Sequence, residues 1–402
     1  SVTPATGNVF DTLEAMLIPL GFTVERFLSG VDDHNPDHGG PVENLFAIRG
    51  KIGRHFAYAG HVDVVPPGDG WASDPFNPAA IPPLALDADG DLRPVSSVTL
   101  GGTLMPMALS PCGRWLYVAR RSEPLAVVTL AIDATTGQLR PLGEAALPGS
   151  MAYVSTDPRG RWLFAASYPA NCVSVSPIAP TGIAGDVQQL VPTPPHAHGI
   201  LSAPDNRHVL ATSLGGDQVL QFRFDATTGQ LSPNTPPAWP QRPGAGPRHL
   251  RFHPNGRFVY LLNELDATLD VLAYDAPTGT LAHLQTLPTL PPGFSGPPAA
   301  ADLHLTPDGR WLYTSERTSS TLAAFAVDAS TGRVEPRGHT ATESGPRGFA
   351  ITPDGQHLLA VGQLSHHLSR YRIHPATGAL ALQQRLPMGQ NPNWITFSHP
   401  AR

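Results

Sequence analysis

Apolar residues along this chain come in runs of strand length, too short for helices and too regularly spaced for loops. Residues 115–118, 127–132, 258–262 and 311–314 are examples, each rich in β-branched, aromatic or leucine side chains. Between the runs stand two turn signatures. The first is SPCGR at Pro111, DPRGR at Pro158, APDNR at Pro204, HPNGR at Pro254, TPDGR at Pro307, TPDGQ at Pro353 and SHPAR at Pro400, spaced 47, 46, 50, 53, 46 and 47 residues apart. The second runs out of phase with it: DADGDL at Gly90, DATTGQL at Gly137, a degenerate form at Gly182, DATTGQL at Gly229, DAPTGTL at Gly279, DASTGRV at Gly332 and HPATGAL at Gly378. Each period therefore predicts four antiparallel strands. Strand A enters the Pro-Gly turn, B leaves it, C enters the Thr-Gly turn and D leads to the next unit. A four-stranded unit repeated seven times predicts an all-β, seven-bladed β-propeller of four-stranded antiparallel blades.

Strand direction sorts the loops. With A innermost, the D–A and B–C loops share one face, the mouth of the central channel, and the two repetitive turns share the other. Variation for function belongs on the first face. Counting strands exposes a split blade: the chain ends on an A strand alone, 393–398, and the repeat begins near Leu84 with the end of a C strand and a D strand over 92–100. The missing strands belong upstream, because an open sheet edge invites aggregation.

The upstream residues have a different character. Val9, Phe10, Leu13, Met16, Leu17 and Leu20 predict an amphipathic helix, and 22–27, 44–48 and 55–65 have strand composition. The stretches SVTPATGNVFDTLEAMLIPLGFTVERF, PVENLFAIRG, HFAYAGHVDVVPPGDGW and SDPF closely resemble the N-terminal portion of succinyl-diaminopimelate desuccinylase, of the M20 metallopeptidase family. In that family the Gly-His-x-Asp element, here Gly60 to Asp63, supplies one metal-ligand histidine, His61, supported by Asp63. One imidazole does not make a multi-ligand zinc site. The reading is therefore a fusion, with a truncated, non-catalytic fragment over 1–78 and a propeller over 79–402. A hairpin of 44–49 with 56–64 is expected to replace the missing B and C strands, giving a monomer or a strand-completed dimer.

Composition narrows the partners. Of 402 residues, 45 are Pro and 39 Gly, in keeping with many turns, and only 14% are charged. A net charge of −6 without a basic cluster excludes a nucleic-acid or anionic-membrane footprint. No apolar run approaches membrane-spanning length and no signal peptide is evident, so the expectation is a cytoplasmic protein. The two cysteines, Cys112 and Cys172, fall in different repeats and predict neither a disulfide framework nor a metal knuckle.

The mouth-face loops gather His196, His198, Arg248, His249, Asn263, Glu264, Asp302, His304, Glu316, Arg317, Arg347, Gln363, His366 and His367. The histidines come as adjacent or i, i+2 pairs whose side chains diverge, so neither a metal nor another cofactor is expected. ALPGSMAYVSTDPRGRWLFAASY, GAGPRHLRFHPNGRFVYLLNEL, AADLHLTPDGRWLYTSERT, PRGFAITPDG and VGQLSHHLSRY make residues 84–402 similar to the seven-bladed 6-phosphogluconolactonase family and to propeller-type muconate lactonizing enzymes. The resemblance implies a site of one His, two Arg and one Glu, carried here by His198, Arg248, Arg317 and Glu264, with no cofactor. His249, His304, Arg347, Gln363, His366 and His367 are the candidate substrate-binding residues. An arginine suits the oxyanion of lactone opening, Glu264 or His198 the water's proton, and Arg347 a phosphate or carboxylate. The implied substrate is a sugar lactone such as 6-phosphogluconolactone. Activated esters or phosphotriesters in the same site, or a non-catalytic binding ring, are the alternatives.

Overall fold

In five of the six full sheets strand B is the most deeply buried strand, which is why its sequence is nearly continuous in apolar and small residues. Trp162–Ser167, His208–Ser213, Phe258–Asn263, Trp311–Glu316 and His357–Gly362 are buried along their whole length. The outer D strands, such as Gln189–Pro192, alternate between half-buried and exposed positions instead. In a computed structural model the chain divides into two units, Ser1–Pro75 and Phe76–Arg402. The structure describes residues 8–20, 23–29, 42–48, 80–86 and 91–398.

In the larger unit six four-stranded antiparallel sheets follow one another at 104–146, 151–192, 197–240, 247–288, 300–341 and 346–387, each in the order A-B-C-D. We number these blades one to six. Cores form between successive blades, as where Trp162 and Phe164 of the second meet Ile200, Val209 and Phe222 of the third. A second joint repeats on the face of the turns. The hydroxyls of Tyr117, Tyr260 and Tyr313, all in B strands, donate to the carbonyls of Gly182, Gly332 and Gly378 in the Thr-Gly turn of the next blade, at 2.9, 3.0 and 2.7 Å.

The seventh, split sector holds two short ladders in place of a four-stranded sheet. Between the sixth and first blades, Leu84–Leu86 pairs with Leu92–Pro94, and Ala80–Ile81 pairs separately with Val98–Thr99. The single D strand expected over 92–100 is thus broken in two. Its break follows Pro94, which has no N–H to extend a ladder, and the two halves pack on different neighbours. Leu84 and Leu92 join Leu359, Val361 and Leu368 of the sixth blade, with Ile395 and Phe397, whereas Ile81, Val98 and Leu100 pack on Val118 and Leu130 of the first. The side-chain amide of Gln384 both donates to and accepts from the backbone of Leu92. Residues 393–398 run without ladder partners among the described residues, and Trp394 packs edge-on against Tyr153 and His249 in the channel.

In the smaller unit a helix, Asn8–Leu17, precedes Thr23–Ser29, which pairs antiparallel with Val42–Ile48 over seven residue pairs. Arg26 ties strand to helix through Asp11 and Glu14, both at 2.7 Å. Of the hairpin expected between 44–49 and 56–64, only residues 44–48 are among the described residues. The first run spends an edge on Thr23–Ser29, and the second run, with His61 and Asp63, lies outside the described residues.

Candidate active site

Each A strand begins, at the mouth, with a break in register: between Leu104 and Met107, Met151 and Tyr153, Ala197 and Ile200, Pro247 and His249, Ala300 and Leu303, and Pro346 and Gly348. A bulge turns consecutive side chains that would otherwise point to opposite faces. In the fourth blade it lets neighbouring Arg248 and His249 share one hydrogen-bonded network. The second supplier of the site is the residue just after strand B. Its N–H binds the carbonyl that precedes strand A, as Glu264 does with Gly246 at 2.8 Å and Arg317 with Ala299 at 3.2 Å. A rigid pair of inner strands therefore fixes both sets.

Glu264 is the hub. Its Oε2 accepts from Nε of Arg248 and its Oε1 from Nη2 of Arg317, both at 2.7 Å. Arg248 is 1% exposed; it also donates through Nη1 to the carbonyl of Ala301 and lies 3.3 Å from Nε2 of His249. Burial pushes the Arg248 guanidinium down to about 10, against the pull of Glu264. Burial works to raise the Glu264 carboxyl, but Arg248 and then Arg317 outweigh it and hold the group below its ordinary value, so it is ionised at neutral pH.

His198 is 4% exposed, edge-on to the rings of His249 at 5.0 Å and Tyr168 at 6.1 Å, and its Nδ1 is buried without a hydrogen-bond partner. Burial, then the charge of Arg248, hold it well below the usual histidine range and therefore neutral. Below this layer Asp302 accepts from Nδ1 of His249 at 2.9 Å and from Nε2 of His304 at 3.1 Å. Asp302 stays ionised despite its burial because these histidines, His304 foremost, favour its charge. His249, 1% exposed, lies in one network with Arg248 and Asp302. Among the described residues no three His, Cys, Asp or Glu side chains converge with metal-ligand spacing.

Arg347 reaches the same mouth from the sixth blade. Its Nε contacts Sδ of Met105 at 3.2 Å. Burial, then the charges of Arg248, Arg317 and Arg121, push it well below its ordinary value. Arg121, just after the first blade's strand B, escaped the sequence reading; its equivalence to Glu264 and Arg317 in the repeat was the available signal. The structure gives Gln363, His366 and His367 different company. Gln363 donates to Oδ1 of Asn391 at 2.7 Å, His366 accepts from the Asn391 N–H at 3.1 Å, and Nδ1 of His367 meets the carbonyl of Ser365. Those partners belong to their own loop and to the C-terminal segment.

Residues 77–397 match the family described as "Lactonase, 7-bladed beta-propeller". The chain is 42% identical over 311 residues to the 6-phosphogluconolactonase of Pectobacterium carotovorum, covering 77% of this chain and 93% of that protein. It is 40% identical over 313 residues to the 6-phosphogluconolactonase of Cronobacter sakazakii, covering 78% and 93%. Among solved structures it is similar to the Pseudomonas aeruginosa periplasmic gluconolactonase, with a TM-score of 0.73 at 28% identity over 77% of this chain and 92% of that one. A carboxylate clamped by two arginines at the mouth of a ring of four-stranded sheets thus stands in a chain that belongs to the β-propeller lactonase family.

Proposed function

We propose that this protein hydrolyses a sugar δ-lactone of the 6-phosphogluconolactone type, at the mouth formed by His198, Arg248, Glu264, Arg317 and Arg347. The observation that carries the reading is the Arg248–Glu264–Arg317 bridge: an ionised carboxylate and two fixed guanidinium groups in one partly buried place. Both Glu264 oxygens keep a lone pair beyond the arginine bonds, and at 20% exposure its side chain is the more accessible base beside the nearly sealed His198. Glu264 takes a proton from water as the water oxygen bonds to the lactone carbonyl carbon. The displaced π pair becomes an oxyanion, which the guanidinium groups stabilise. Collapse then breaks the bond from that carbon to the ring oxygen, and the proton passes from Glu264 to that oxygen, leaving the open-chain acid.

The charges of Arg248, Arg317 and Arg121 all act on Arg347, and a single carboxylate, Glu264, offsets them there. That surplus suits a phosphorylated substrate, with Arg347 and Arg121 as its anchors. A site built for an oxyanion also admits activated esters and phosphotriesters as slower substrates. A panel of phosphorylated lactone, unphosphorylated lactone and aryl ester tests the reading. Glu264→Gln is expected to lower turnover by about 10²–10⁴-fold. Arg347→Gln is expected to raise KM for the phosphorylated lactone by about 10–100-fold, and less for its unphosphorylated counterpart. No lactone turnover by the unaltered protein would favour a binding ring instead.

A further inference from the structure

The repeat assigns an occupant to each equivalent place around the mouth. Immediately after strand B stand Arg121, Tyr168, Leu214, Glu264, Arg317 and Gln363, in blade order. Two of these form the bridge at the centre of the site. Tyr168 holds the same place in the second blade, half-buried, with its ring edge-on to His198.

Its partner breaks a local rule. The residue before strand A has a left-handed backbone in three blades: Gly246 at φ 68°, Gly345 at φ 66° and His196 at φ 64°. Glycine adopts that conformation freely, whereas a side-chain-bearing residue is disfavoured there by roughly 1–2 kcal/mol. The histidine is nevertheless held in place. Its N–H donates to Oδ1 of Asn171 at 2.7 Å, and its carbonyl accepts from the Leu214 N–H at 2.9 Å. A Cβ on Gly215 would stand 2.7 Å from its Nδ1, so the ring's position depends on that glycine. The result is a parallel stack on Tyr168, with ring centroids 4.1 Å apart and planes within 1°. Strain that the surroundings maintain at the mouth points to a use.

We propose that the Tyr168–His196 stack is the specificity-determining wall of the mouth, lying against the ring face of the sugar lactone while the arginine–glutamate bridge acts on its carbonyl. This rests on the lactonase reading. A flat aromatic pair offers an apolar face to the axial C–H groups of a pyranose-like ring. It therefore contributes to binding of the cyclic substrate and adds little to the chemical step.

The test uses the full chain, glucono-δ-lactone as substrate, and glucono-δ-lactam, its hydrolysis-resistant amide analogue, as a binding probe. Tyr168→Ala and His196→Gly are each expected to raise KM about 10-fold, with the larger part of the loss in KM rather than kcat. Tyr168→Phe, which keeps the ring, is expected to restore the original KM. Lactam affinity measured by calorimetry should fall by the same factor in Tyr168→Ala and His196→Gly, while inorganic phosphate affinity stays in place. His196→Gly also relieves backbone strain, so its thermal midpoint should hold or rise as its lactam affinity falls, which a purely structural role would not produce. Lactam affinity indifferent to both substitutions overturns the wall. If the unaltered protein opens no lactone but its lactam affinity still drops on Tyr168→Ala, the hydrolase reading fails and the wall stands.

Discussion

Burial decides the protonation of the channel histidines. His249 is pushed down to about 3, first by burial and then by the neighbouring charge of Arg248, and His198 and His304 shift in the same direction, led by burial. Outside the channel, burial lowers His208 and His357 too. An unfolded histidine takes up its proton near pH 6.5, whereas folded His249 does not until about pH 3. Between these values the unfolded state binds more protons, so stability falls as the pH drops below about 6.5. Asp302 has the opposite chemistry and the same sign. Its folded pKa is depressed, so its contribution disappears only as the pH falls below the ordinary carboxyl value of 3.8. Urea midpoints measured from pH 7 to pH 4.5 should therefore decline, and His249→Gln should flatten the slope. An unaltered slope would mean that His249 is already charged in the folded protein. At this scale the sequence was a partial guide. Position in the repeat placed Arg248, Glu264 and Arg317 among the mouth-face candidates and the family resemblance singled them out; the three meet. The bulge that turns Arg248 and His249 into one network left no mark in the alternation, because it is one extra residue on a strand.

The elements are joined by a part that recurs. In the Thr-Gly turn, each of Gly182, Gly229, Gly279, Gly332 and Gly378 lies against the ring that opens strand B of the preceding blade: Trp115, Trp162, His208, Phe258 and Trp311. Gly137, in the first blade's turn, shares the positive φ but has nothing within 4 Å, and the sector before it is the split one. The contrast makes a controlled experiment. Gly332→Ala forces both an unfavourable φ of +73° and a Cβ 2.4 Å from the Phe258 ring, whereas Gly137→Ala, at φ +71°, meets the backbone strain alone. Thermal unfolding should show Gly137→Ala destabilised by about 1–2 kcal/mol and Gly332→Ala by a further 1–3 kcal/mol. Equal losses would show that the ring contact adds nothing. The turn signatures were legible because glycine and proline carry backbone geometry in their chemistry. The break in the closing strand was less so: 92–100 alternates like one strand, but its halves serve different blades.

For the whole molecule, six full sheets and both ladders of the split sector lie within residues 80–387. Residues 80–402 expressed alone are expected to be soluble and to retain lactone turnover with an unchanged KM. Loss of soluble protein on that deletion would make the upstream residues part of the fold. Opening of the ring is expected to start at the split sector, where short ladders replace a four-stranded sheet and fewer backbone hydrogen bonds must break.

The bond between Gln384 and Leu92 joins residues 292 apart in the chain. On a ribosome adding 5–20 residues per second, the early partner waits roughly 15–60 s for the late one. Blades two to five can each settle against the one before as they emerge, but the circle shuts only when the final stretch leaves the exit tunnel. Premature termination anywhere in the last blade would therefore release an arc with two bare ends in place of a slightly shortened ring.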